Sequence, residues 1–187
     1  SGDQPALTTS VDQDGLLVVL HETTPTTLKY TEWAKFAKFA AHKNFLNAEA
    51  DHKAAGWPSE NFRESYTRHV KALIAVGSGD GTDQNYGMET EFVALANPYD
   101  DGFDGNMQVQ LFFENLPRPN TQVEVFERAP DQTVSISLHR TDDNGIAQIP
   151  VKPAHTSLLD AVVLQPYTND DKAVWQTLWA ALTFQVP

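Results

Sequence analysis

The chain contains no cysteine. Thiol nucleophiles, iron–sulfur clusters and Cys-type zinc sites are thereby excluded. No apolar run approaches the ~20 residues needed to cross a bilayer, so no membrane insertion is expected. Cations are scarce, with 13 Lys and Arg against 25 Asp and Glu and a net charge of -12. A phosphate backbone meets net repulsion from such a surface, so nucleic acid is not an expected partner. Catalytic motifs are missing too. Gly77–Gly81 is not followed by a Lys-Ser/Thr pair and a helix, there is no Gly-x-Ser-x-Gly elbow, and after His21-Glu22 a proline, Pro25, stands where a zincin needs its second histidine. No enzymatic activity is expected.

What is present is ample apolar material. The 187 residues are 41% hydrophobic, with 10 Phe, 4 Trp and 5 Tyr. That suffices for one large domain or two small ones and rules out global disorder. Residues 1–14 are polar and turn-rich, and read as a leading loop. The opening Ser1-Gly-Asp-Gln-Pro5 has no charged start and no apolar segment, so we expect that a leader has been removed or that the chain is a fragment.

Two regions differ in character, 1–87 and 88–187. In the first, Leu16–Leu20 (near 16–21) is a continuous apolar run, predicted as a strand buried on both faces. Residues near 31–55 are rich in Ala, Lys, Glu and Phe. Trp33, Phe36, Ala37 and Ala40 form one helical stripe there and Phe39 and Phe45 lie off it, so the helix either touches two surfaces or bends near Asn44. A second helix is predicted near 59–69, capped by Ser59, with Phe62, Tyr66 and His69 or Val70 on its apolar stripe and Glu64 four residues before Arg68. Residues 71–76 extend that helix or form a buried strand, and 77–87 form a linker.

The second region alternates as strands do. Met107–Glu114 sets Met107, Val109, Leu111 and Phe113 on one face; Thr121–Arg128 turns Val123 and Val125 inward, and Thr133–Arg140 does the same with Val134, Ile136 and Leu138. Glu91–Asn97, Ile146–Val151, Leu158–Leu164 and Leu178–Val186 bring the total to about seven short strands, as in an immunoglobulin-like sandwich. The expected fold is α+β and mainly β: an immunoglobulin- or transthyretin-like antiparallel β-sandwich, preceded by a two-helix segment and strands of an incomplete N-terminal β unit.

Candidate ligands are few. His42 and His52 lie ten residues apart beside Glu49 and Asp51. On an ideal helix their rings point roughly 80° apart, so a shared nickel, cobalt, copper or zinc ion needs a bend or another segment. His69 reads as a packed residue, His139 as solvent-facing and His155 as a loop residue without a local partner. Asp80–Asp83 and Asp100–Asn106 lack the ligand spacing of a calcium loop and read as turns. Trp175 and Trp179 read as rings sealing the bottom of the sandwich rather than a sugar platform.

Tyr66–Gly77, Phe92–Tyr99, the Thr141–Pro150 turn with its Asp-Asn-Gly, and Trp175 with Leu178–Phe184 together resemble the NikM-type family of secreted or periplasmic proteins associated with nickel or cobalt uptake. The resemblance covers most of residues 15–187. It implies a periplasmic or secreted location and an accessory or binding role. It also implies a divalent nickel or cobalt ion as ligand and a membrane transporter component as partner. Members carry a histidine in the penultimate strand, where this chain has Val163. The alternative is a structural or protein-interaction module without a small ligand.

Overall fold

The structure, a computed structural model, describes residues 8–167 and 173–187; the part of the expected leading loop over 1–7 lies outside the described residues. In chain order the elements are β1 (Gly15–Glu22), β2 (Thr26–Tyr30), α1 (Trp33–His42), α2 (Ala48–Ala54), β3 (Phe62–Val76) and β4 (Thr90–Ala94). There follow β5 (Asn106–Phe113), β6 (Leu116–Pro117), β7 (Gln122–Arg128), β8 (Val134–Arg140), β9 (Ile146–Pro150), β10 (Thr156–Pro166) and β11 (Trp175–Gln185).

Two sheets face one another. The larger runs β1-β3-β11-β10-β7-β8, with β2 also on β3; the smaller runs β4-β5-β6, with β9 on β5. Leu73 from β3, Val123 and Val125 from β7, Leu159 from β10 and Leu182 and Phe184 from β11 meet Phe92, Met107, Val109, Leu111 and Ile149 from the smaller sheet in one buried core. The period of two along each strand produces this layer, and the expected mainly-β α+β sandwich is what is observed. Every neighbouring pair is antiparallel except β3 and β11, which run parallel from Glu64↔Trp175 to Ala72↔Thr183.

The outer face of the larger sheet carries a second apolar cluster. Tyr30, Phe62 and Trp175 are buried there under Phe36 and Ala40 of α1 and Ala48 of α2. Phe36 stacks on Trp175 at 5.6 Å between ring centroids and meets Phe62 edge-on at 5.4 Å. The helical region breaks at Asn44 rather than running on as one helix against two surfaces. Asn44 adopts the left-handed conformation (φ 63°), the Asn44 N–H donates to Ala41 and the Phe45 N–H donates to Ala40, closing α1 before α2 begins.

Three expectations are overturned. No helix spans 59–69, and Ser59 caps nothing: Phe62–Val76 is one fifteen-residue strand. Its early residues Phe62 and Glu64 are buried on the outer face under the helices. Its later residues His69, Lys71 and Leu73 are buried on the inner face. The switch of covered face midway spaces Phe62, Tyr66 and His69 as a helix would. Leu16–Leu20 is a strand, but an edge strand that is only half-buried, with Leu20 exposed.

The third correction concerns β8. Val134, Ile136 and Leu138 do not point inward; they are 56%, 58% and 60% exposed. Register explains it. They sit opposite Arg128, Phe126 and Glu124 of β7, whereas the inward-facing Val123 and Val125 sit opposite His139 and Ser137. The apolar set of β8 therefore shares the outer face of the sheet, beyond the reach of the helices.

Candidate binding site

The outer face divides into a covered part and a bare part, and a buried polar cluster lies at their boundary. α1 ends at His42, which places His42 and Lys43 over β7 and β10. Cations at a helix C-terminus are favoured by the exposed carbonyl dipoles. The Lys43 ammonium lies 2.5 Å from Glu124 Oε2 and 2.5 Å from Asp160 Oδ2, and His42 Nε2 lies 2.9 Å from Glu124 Oε1. Glu124 and Asp160 are both buried. Burial holds the Asp160 carboxyl above the usual carboxylate range, against the downward pull of Lys43. The Gln122 amide donates to the His42 carbonyl at 2.8 Å, fastening the end of α1 to β7.

Beside this cluster is a cavity of about 140 Å³ lined by Lys43, Phe45, Arg118, Gln122, Glu124 and Asp160. Arg118 Nη2 donates to the Val162 carbonyl at 2.6 Å, and burial pushes the guanidinium down to about 10. Two carboxylates thus converge on the lysine ammonium, while the His42 imidazole reaches only Glu124. A cation already neutralises the pair.

The structure separates the two histidines proposed as metal ligands. His42 joins the polar cluster. His52 is buried in the aromatic cluster, with Trp175 Nε1 donating to its Nδ1 at 3.0 Å and its Nε2 3.0 Å from the Pro58 carbonyl. Both ring nitrogens are engaged, so His52 acts as a bracket between β11 and the α2–β3 loop. Among the described residues no group of three or more His, Asp or Glu is placed to hold a metal ion.

The other histidines are scattered. His69 is buried; His139 is half-buried with Nε2 3.0 Å from Ser137 Oγ, and His155 Nδ1 lies 2.8 Å from the Pro153 carbonyl. Asp83, from the first Asp/Gly-rich stretch, is paired with Lys71. Trp175 and Trp179 lie within β11 on the outer face, stacked on Phe36 and Phe39 of α1, not at the bottom of the sandwich.

Past the cluster the outer face is bare. Leu158 of β10, Phe126 of β7 and Ile136 of β8 lie in one row across three strands. Val134 and Leu138 flank Ile136 on the terminal strand, giving an uncovered apolar stripe.

The model of a family described as a domain of unknown function, DUF4198, matches residues 1–165. The chain belongs to this family. Its description names no activity, metal or transporter. The matched span of this DUF4198 protein reaches almost to the end of β10. No curated protein and no solved structure matches the chain. No helix among the described residues is long and apolar enough to cross a membrane.

Proposed function

We propose that the chain is a periplasmic or secreted accessory module that binds a protein partner through the outer face and free edge of β8. The carrying observation is the stripe Val134, Ile136 and Leu138, more than half exposed on a strand that ends its sheet. Natural edges are normally blunted by lysine, proline or a covering segment. The run Val134-Ser-Ile-Ser-Leu138 has none of these, and an extended segment of another protein can add to such an edge while apolar side chains set its register. A net charge of -12 opposes pairing with a second copy and favours a neutral or basic partner. Resemblance to secreted nickel- and cobalt-uptake proteins supports the location and a membrane transporter component as the partner.

A photo-crosslinking residue placed at position 136 in the producing cells tests this, with position 116 on β6 as control. One discrete heavier species from 136 and none from 116 is expected. No adduct at 136, or equal labelling at both positions, overturns it.

A second reading, handling of a nickel or cobalt ion, rests on the family resemblance, since no three ligands are placed together among the described residues. Calorimetric titration with nickel, cobalt, zinc and copper tests it. Absence of heat with all four rejects it.

A further inference from the structure

A second charged cluster is buried between β3, β4 and the segment that connects them. Lys71 points inward from β3, Glu91 belongs to β4, and Asp83 sits in the connecting segment; all three side chains have 0% exposure. The Lys71 Nζ lies 2.9 Å and 3.0 Å from the two Asp83 oxygens and 2.6 Å from Glu91 Oε1. It also donates to the Gln84 carbonyl at 2.8 Å, and the Tyr86 ring lies 4.8 Å away. Asp83 Oδ2 accepts the Ala94 N–H and Oδ1 accepts the Gln84 N–H, both at 2.8 Å. Glu91 is clamped in turn by the N–H groups of Tyr86, Gly87 and Met88.

We infer that Lys71 and Asp83 are joined by an intramolecular amide bond, formed autocatalytically with Glu91 as proton carrier. An amine held against a carboxyl carbon needs no encounter step, and such fixed geometry is worth many orders of magnitude in rate. The Lys71 ammonium and the Glu91 carboxylate are already 2.6 Å apart, so proton transfer between them needs no rearrangement. Glu91 takes a proton from Lys71 and hands it to Asp83, which becomes the neutral acid. The Nζ lone pair then attacks Asp83 Cγ. The Ala94 and Gln84 N–H groups already point at the two oxygens and stabilise the negative charge that develops there. As the Nζ–Cγ bond forms, the amine gives up a second proton, Glu91 passes a proton to one Asp83 oxygen, and the Cγ–O bond breaks. Water leaves. Ammonium plus carboxylate become amide plus water, with no net charge change and no oxidant or reductant. Exclusion of bulk water protects the product from hydrolysis.

Intact-mass spectrometry of the purified, denatured chain tests this directly. The expected mass is one water below that of the sequence, with a branched peptide joining Lys71 to Asp83 after proteolysis. E91Q should retain the full mass while folding normally by circular dichroism, and D83A should retain it whether or not it folds. The full sequence mass in the native chain overturns the bond. So does a water loss that tandem spectra place at Asp14-Gly15, Asp80-Gly81, Asp101-Gly102 or Asp104-Gly105, where succinimides form. An E91Q chain that still loses water overturns the role given to Glu91.

Discussion

Single side chains separate framework from function here. His52 bridges Trp175 and Pro58 deep in the aromatic cluster. Replacing it with Phe keeps a ring but strands a buried donor and a buried acceptor, at a cost of about 2–4 kcal/mol. Urea unfolding should register that loss, and metal titrations should be unchanged; a ligand role would give the opposite pattern. Glu64 is a different case. Its buried carboxyl accepts from Tyr30 Oη at 2.7 Å and from Thr177 Oγ1, and burial raises it above the ordinary value despite both bonds. A carboxyl raised in the folded state binds its proton more tightly there than in the unfolded chain. Stability therefore falls as pH rises through that window, and the penalty persists above it. Glu64→Gln removes the titration. Its melting temperature relative to wild type should climb as pH rises above the ordinary glutamate range, and a pH-independent difference would show that Glu64 does not titrate on folding as described.

At the scale of elements, the junction of α1 with β7 and β10 depends on one lysine. Lys43→Met keeps the aliphatic stem over Trp179, whose ring the ammonium approaches to 5.2 Å, but leaves Glu124 and Asp160 buried without their counter-charge. Breaking such a pair costs about 3–5 kcal/mol. The loss should be greater at neutral pH than at an acidic pH where Asp160, held above the usual carboxylate range by burial, takes up a proton. Denaturant titrations at the two values measure it. Sequence patterning disclosed the strands of the sandwich, because local alternation suffices for them, and left the break at Asn44 as one of two alternatives. It misplaced β3, whose burial changes face midway, and β8, whose inward face is fixed by register with β7. Neither ion cluster was legible. Lys43 meets Asp160 across 117 positions, and pairs at such range leave no spacing to read.

Over the whole molecule, the bare stripe on β8 gives the sharpest contrast between stability and use. Ile136→Lys alters a side chain that is already 58% exposed, so its stability should stay within about 0.5 kcal/mol of wild type. The same change should abolish the crosslinked species and reduce binding of an apolar dye. Intact stability with undiminished dye binding would mean that the stripe is not the molecule's adhesive surface.

The parallel contact of β3 with β11 also governs when the chain can fold. β3 comes early and its neighbour across the sheet comes more than a hundred positions later. Until residues 175–185 have left the ribosome, the middle of the larger sheet has a gap and Trp175 cannot seat beneath α1. Partial chains are then open, slow to collapse into the final topology and sticky along β3. A nascent polypeptide of this design stays threadable until β11 has been made.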